Sequence, residues 1–339
     1  MSELRTNIYT RSEDLPKGLS EENFFHSPQL FNILKQTPRH KPYMVVVETS
    51  DGQVVAQMLA TVRYRSSWFP PYLYIHCRVM GEGVYQIEDE TMKTEHFPAV
   101  STSLQSPFFQ LMLQRLTERL GRRMLYFEVS NLSQKMFGYK EFRQLGFFPV
   151  RWMSIHNSLH SRTPEERIGP RMQKRINQAY ERGIVTEEIQ GDADFEAFSK
   201  LLHHHNWLKP KRYIPHDNFF KGIRQSGNGR LFVTRYRDHV VGCSAVVFSG
   251  RNAYLWYSAY RRKSFAFVHP DIATIWHAIK DAHQHGYDHI FFLDVGLPFR
   301  RNRFREFILR FGGKPVSTYR WFRTSIGWLN KLLSWFYRD

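Results

Sequence analysis

Two short blocks recur in this chain at one spacing. Glu128-Val129-Ser130 corresponds to Asp294-Val295-Gly296, and LGFFPV (145–150) corresponds to FGGKPV (311–316), both at an offset of 166 residues. Each follows an amphipathic helical stretch, a glycine and an apolar run of strand type. A third pair, VVAQMLA (54–60) and VVGCSAV (240–246), falls on the outgoing arm of a hairpin in each half. Two unrelated units that merely share turn chemistry have no reason to keep one offset across separate blocks. The pattern predicts a duplicated supersecondary unit. With 339 residues, 42% of them hydrophobic and 16% aromatic, the chain can fill two cores of ordinary size.

Local signals give each half the same order of elements. Ser27 as cap and Pro28 at the first helical position open a helix within Phe24 to Leu34. Asp51-Gly52 joins two β-rich runs as a hairpin, since glycine tolerates positive φ. The run YLYIHCRVM reads as a strand and 81–103 as a long loop. A helix follows over 103–120, with Leu104, Phe108, Leu111, Met112, Leu116 and Leu120 on one face. In the second half, Thr163-Pro164-Glu165-Glu166 predicts the start of a basic helix that ends at Gly183. Two helical stretches (195–208 and 217–224), a three-strand meander (231–260), a helix over 271–285 and the buried strand HIFFLDVG complete it. The fold class is therefore α/β (α+β), each half a mixed central sheet flanked by helices. The linear division is 1–160, 161–323 and a basic amphipathic tail, 324–339.

The formal net charge of +17 points to an anionic partner. Cys77 and Cys243 sit in apolar runs far apart, with no CxxC, and read as reduced core residues of a cytoplasmic protein. The opening stretch MSELRTNIYTRSEDLP has no apolar core of the signal-peptide kind, and no run of 18 apolar residues occurs.

A basic-aromatic helix running into L-G-F, as in YKEFRQLGFFPV (139–150), resembles the C-terminal motif of GNAT (N-acetyltransferase-like) acyltransferases. The tandem pair, whose second copy reads FLDVGLP…RFREFILRFGGKPV, resembles the FemAB/FemX group over about residues 20–323. The resemblance implies two tandem GNAT-like units that move an acyl or aminoacyl group onto an amine of a cell-envelope, peptidoglycan-type precursor. It implies aminoacyl-tRNA or acyl-CoA as co-substrate, no tightly bound cofactor, and a tRNA, nucleotide-linked or lipid-linked anionic partner. Acetyl-CoA-binding GNAT units carry an R/Q-x-x-G-x-G/A loop whose amides hold a pyrophosphate at a helix N-terminus. In the second half the equivalent segment is YRRKSFAFVHPD (260–271), and no glycine occurs from Arg251 to His285. A backbone without glycine approaches phosphate less closely. In the first half Arg78, Gly81 and Gly83 fit the pattern and form a candidate pyrophosphate loop.

Aminolysis of an ester or thioester needs a neutral amine, a route for its proton and donors for the developing oxyanion. No G-x-S-x-G and no Cys-His pair suggests a covalent intermediate. Asp294, ending an apolar strand, is the candidate base, and Tyr260 is a second catalytic candidate. Trp256 and Tyr257, earlier on the same strand, are candidates for lining a substrate chain. Arg261, Arg262 and Lys263 at the strand end, with Lys174 and Arg175 on the basic helix, are candidates for gripping phosphates. His203-His204-His205 does not predict a metal site, because consecutive helical residues point about 100° apart.

The stretch from Phe299 to Arg323 is dense in arginine, with Phe304, Phe307, Ile308 and Phe311 at helical spacing. Those aromatics read as the core face, leaving a basic face for an anionic substrate. In the tail, Ile326, Leu329, Leu332, Leu333 and Phe336 form one face with Trp328 and Trp335 beside it, which suits peripheral contact at the inner face of a membrane. Two other functions fit the same residues: an acyl-CoA-dependent N-acyltransferase for an amino sugar of a polysaccharide, and a non-catalytic polyanion- or membrane-binding protein on a GNAT-like fold.

Overall fold

The computed structural model describes residues 4–67, 72–86, 101–132, 137–206, 213–293, 295–298 and 301–337. The chain forms two compact units, Met1–Trp152 with Thr318–Asp339, and Met153–Ser317.

In the first unit the chain runs through β1 (Arg5–Tyr9), α1 (Pro28–Gln36), β2 (His40–Glu48), β3 (Val54–Ser67) and β4 (Tyr72–Met80). It continues through β5 (Val84–Tyr85), α2 (Ser101–Leu120), β6 (Tyr126–Ser130), α3 (Tyr139–Gln144) and the start of β7 (Phe148–Ser158). Ser27 caps α1 as expected, its hydroxyl accepting from Leu30 N–H at 3.1 Å. Hairpins order β1, β2, β3 and β4 antiparallel, and β6 joins β4 in parallel. A parallel pair needs a crossover, which α2 supplies. Its residues Phe109, Met112, Leu113, Leu116 and Leu120 pack on Val45, Met58, Cys77, Val79 and Val129, while Leu111 is exposed.

The second unit comprises α4 (Pro170–Glu181), β8 (Ile184–Glu188), α5 (Asp192–Asn206), α6 (Asp217–Gln225), β9 (Gly229–Tyr236), β10 (His239–Ser249) and β11 (Asn252–Tyr260). Then come α7 (Pro270–Gln284), β12 (His289–Phe292), α8 (Arg303–Leu309) and β13 (Lys314–Thr324), followed by α9 (Gly327–Phe336). β8, β9, β10 and β11 are antiparallel and β12 joins β11 in parallel across α7. Ile272, Ile275, Trp276 and Ile279 of α7 lie in the core beside Phe232, Leu255 and Phe292. The expected helix start at Thr163 is displaced: Glu165–Arg167 makes one 3-10 turn, Ile168 is extended, and α4 begins at Pro170. A residue before a non-helical bend cannot continue the ladder, and Pro170 suits a first helical position.

The two units repeat one topology, strand for strand, with an exchange at the end. β7, which follows the LGF turn of the first half, pairs antiparallel with β12. β13, which follows the FGG turn of the second half, pairs antiparallel with β6. Each half thus lends its last strand to the other half's sheet. For this reason the compact units divide inside β7 and β13, and not at the linear repeat boundaries of 160 and 323. Both cysteines are buried and form no disulfide, and burial pushes the Cys77 thiol pKa well up.

Candidate active site

The second unit opens where β11 outruns β12. The parallel register goes from Asn252–His289 to Leu255–Phe292, with Leu293 N–H still reaching the Leu255 carbonyl at 3.3 Å. β11 itself continues to Tyr260. At this point its pairing with β10 shifts: Val246 faces Leu255 but Ala245 faces Tyr257, so Trp256 is the extra residue of a β-bulge. A bulge increases twist and bends the strand, which turns the end of β11 away from its pairing line. Arg261 N–H donates to the Val241 carbonyl at 2.8 Å, on the β10 side. By strand alternation the amides of Tyr260 and Ser258 face the opposite, β12 side.

The bulge also changes where the predicted aromatics point. Trp256 and Tyr257 do not alternate; both are buried against α6. Trp256 meets Phe219 edge-on at 5.3 Å and Tyr257 meets Phe220 at 5.2 Å, and the two stack on each other at 5.9 Å. Their large apolar area stabilises the core, and these contacts show packing against α6. Tyr260 is half-buried, between His205 of α5 (5.4 Å) and Phe307 of α8 (6.3 Å). His203 turns instead to Asp217, at 3.2 Å. Asp294 lies outside the described residues.

Beyond the strand end, α8 and α4 build an arginine-lined surface. Asn302 fixes α8: its Oδ1 accepts from Phe304 and Arg305 N–H (3.0 and 3.1 Å) and its amide donates to the Val295 carbonyl (2.9 Å). Arg305 donates to the Leu297 carbonyl at 2.6 Å, so the loop over 295–298 is tied to the same helix. Gly296, at φ +86°, is required there, because a Cβ would stand 2.6 Å from the Asn302 amide. Ile308 and Phe311 face the core and Phe307 packs partly against it, while Arg303, Glu306 and Arg310 are exposed; Phe307 still borders the surface they form. The three exposed residues and Phe307, with Arg262 and Arg301, line a hollow of 290 Å³. Arg310 also lines a second hollow of 610 Å³, with Gly169, Arg171, Met172 and Arg175. Among the described residues six arginines line the two hollows; Arg301 is paired with Glu306 at 3.2 Å and Arg262 with Asp271 at 3.3 Å, and no ion pair is seen for Arg171, Arg175, Arg303 and Arg310 among those residues. Of the predicted phosphate ligands, Arg262 and Arg175 fall here. Arg261, Lys263 and Lys174 are exposed and are not among the lining residues. The sequence reading missed Arg171, one helical turn before Arg175, and did not single out Arg301, Arg303 or Arg310 within the basic stretch; helical spacing was the available signal.

The segment equivalent to a pyrophosphate loop is closed on itself. Phe265 N–H bonds to Arg261 C=O, Val268 to Phe265 and His269 to Ala266. Pro270, the first residue of α7, has no N–H. Asp271 in its first turn is buried, accepts from Ile272 N–H at 3.1 Å and pairs with Arg262 at 3.3 Å. A carboxylate already occupies the favourable place for negative charge at this helix end.

The candidate loop of the first unit turns inward as well. Gly81 N–H donates to Ser130 C=O at 2.8 Å, and Gly83 N–H lies 3.1 Å from Nε2 of His26. That ring is fully buried, and burial lowers its pKa to about 3, so it is neutral; its Nδ1 meets Leu59 N–H at 3.0 Å. Gly83, at φ +104°, leaves only 2.8 Å between a Cβ and the Gln57 carbonyl oxygen. Arg78 pairs with buried Glu128 at 3.6 Å, as does Arg320 at 3.0 Å. Arg78, Gly81 and Gly83 therefore hold the interior of the first unit together, and the geometry offers no phosphate cradle from these amides. Glu128, the repeat counterpart of Asp294, is the centre of that buried ion cluster.

Comparison with known proteins agrees with this architecture. Residues 171–301 match the family model described as an acetyltransferase (GNAT) domain. Among solved structures, FemX superposes with a TM-score of 0.58 at 12% identity, over 90% of this chain and 98% of its own. The C-terminal domain of a putative lysylphosphatidylglycerol synthetase from Agrobacterium fabrum gives 0.54 at 10% identity, over 82% of this chain and 84% of its own. A tandem GNAT protein from the clavulanic acid biosynthesis pathway gives 0.51 at 10% identity, over 95% and 99%. A search of curated protein sequences finds no match. The fold is thus that of two GNAT units in tandem. Residues 171–301 thus match a GNAT domain, and the fold over most of the chain resembles that of FemX.

Proposed function

We propose that the chain transfers an aminoacyl group from aminoacyl-tRNA to an amine of a cell-envelope precursor. The observation that carries this reading is the arginine surface of α4 and α8, set beside the overhanging end of β11. Such a surface, with its arginines spread over two hollows, suits a long polyanion. An acyl-CoA donor finds less support, because the loop before α7 has no glycine, three of its amides (Phe265, Val268 and His269) bond within the loop, and Asp271 holds the helix end. The arginines grip the donor's phosphates, bidentate where geometry allows. The acceptor amine, in its neutral form, attacks the ester carbonyl carbon. The oxyanion draws on backbone N–H groups at the end of β11, where Ser258 and Tyr260 face the opening. The tetrahedral adduct collapses by breaking the bond to the ribose oxygen. The ribose hydroxyl leaves with a proton that the amine gives up, and no enzyme-bound intermediate forms. A peptidoglycan-type peptide supplies such an amine, whereas a phosphatidylglycerol-type lipid would offer a hydroxyl and give an ester instead of an amide.

The test is calorimetric titration with uncharged bulk tRNA and, separately, acetyl-CoA, followed by transfer of radiolabelled amino acid from charged tRNA to envelope precursors. Micromolar tRNA binding, labelled product and no acetyl-CoA binding are expected. Saturable micromolar binding of acetyl-CoA, with no transfer from charged tRNA, overturns the donor assignment.

A further inference from the structure

We propose that the outer face of α9 is a docking surface for an anionic lipid bilayer. This inference is independent of the transfer reaction. α9 has no buried residue, yet its orientation is fixed from behind. Asn330 accepts from Thr324 N–H (2.8 Å) and donates to the Gly146 carbonyl (2.9 Å), and Tyr337 stacks on Phe148 at 5.7 Å. Leu329 and Leu333 take the inner side. This corrects the sequence-based grouping, which put them on one face with Leu332 and Phe336. What remains outside is Trp328, Leu332, Trp335 and Phe336, exposed by 70, 51, 67 and 71%. Four large apolar side chains held outward on one rigid helix are not the scattered singles of an ordinary surface.

The rim selects the occupant. α9 contains no acidic residue and carries Lys331 on the same exposed side. The turn before β6 lies against the start of the helix, Ser325 bonding to the carbonyls of Leu125 and Met124. That turn exposes Arg122 and Arg123, and Leu125 beside them extends the apolar area. Tryptophan and phenylalanine on one side with lysine and arginine at the edge match the boundary between lipid headgroups and acyl chains. A second copy of this chain would bring an identical basic rim, and a like net charge of +17, against the first. The helix has 10 residues, about 15 Å by helical rise, so it lies in the interface and does not cross.

The experiment is flotation of the full-length protein with vesicles of phosphatidylcholine alone or with one third phosphatidylglycerol, alongside sedimentation velocity. Wild type is expected to float with the anionic vesicles and to be released by high salt. The triple variant W328S/W335S/F336S is expected to lose about 100-fold in partitioning, since three aromatic anchors are removed. K331E is expected to weaken only the anionic component. Because all three aromatics are exposed, the triple variant should keep its circular dichroism and melting temperature. Vesicle binding that is equal in wild type and triple variant overturns the proposal, as does absence of binding. A wild-type dimer that the triple variant abolishes, without vesicle binding, also overturns it by assigning the face to a second copy.

Discussion

Removing Arg175 and Arg310 together tests the donor surface most directly. Arg310 lines both hollows and Arg175 lines the larger one on α4, so the pair draws on both helices. Each phosphate neutralised contributes about 0.7 for a single strand, or 0.9 for a duplex, to the slope of log K against log salt. Six arginines, all engaged, give a slope of about −4 to −5. With two gone the slope falls to about −3 to −4. Exposed charge pairs are screened, so each arginine is worth about 1 kcal/mol. The double alanine variant should then bind tRNA about 30-fold more weakly at moderate salt. Filter binding of labelled tRNA between 50 and 200 mM KCl, on the order of the range where such slopes are resolved, measures both quantities. Lys35→Ala is the control, because that ammonium is held on the Thr10 carbonyl in the first unit. A wild-type slope between 0 and about −1 refutes the reasoning. So does a double variant whose slope equals that of wild type.

Three further outcomes follow from the same geometry. Gly83→Ala should destabilise the first unit by about 2–4 kcal/mol in urea unfolding, because the residue needs positive φ and a Cβ would strike the Gln57 carbonyl; an unchanged midpoint contradicts the inward reading of that loop. Asn302→Ala should cost about 1–2 kcal/mol locally as a lost cap. It should weaken tRNA binding more than it lowers the melting temperature, since the cap orients Arg303 and Arg310; a fall in melting temperature without any loss of binding argues against that role. Acid should destabilise the first unit. Burial lowers the pKa of His26, His40 and His76 to about 3 each. Below the ordinary histidine value the unfolded chain binds protons that the folded one refuses, so stability is full above about pH 7 and falls as pH drops from 6.5, by up to about 1.4 kcal/mol per pH unit for each histidine. Glu82, whose burial raises its pKa, works the other way but is one group against three. Equal urea midpoints at pH values of about 7.5 and 5.5 would falsify this.

The architecture was legible because its signals are local and redundant. The 166-residue offset, the Ser27 cap and the crossover helices each follow from short patterns that tertiary contacts reinforce. The strand exchange was not legible. Nothing in the composition of 148–158 or 314–324 says which sheet receives the strand, because β6 and β12 are similar apolar edges with the same register chemistry. The site was harder still. Trp256 and Tyr257 are neighbours on a strand, where side chains ordinarily alternate, and one extra residue at Trp256 sends both rings to the same side. A bulge is a tertiary fact about two strands, and no single strand announces it.

The glycine pattern was open to two readings for a related reason. A motif such as R-x-x-G-x-G specifies where the backbone can turn tightly, not which way its amides face. At Arg78–Gly83 the partner is His26 and the Ser130 carbonyl, so the same backbone freedom serves the interior. The duplicated halves then diverge in charge as well. Glu128 is locked between Arg78 and Arg320, whereas among the described residues the two hollows beside α4 and α8 are lined by more arginines than carboxylates. A buried ion cluster of that kind gives up its reactivity to satisfy its own charges. On the proposed reading, chemistry stays with the half whose cations are still available to a ligand, and the other half keeps the fold while its loop and its carboxylate become structure.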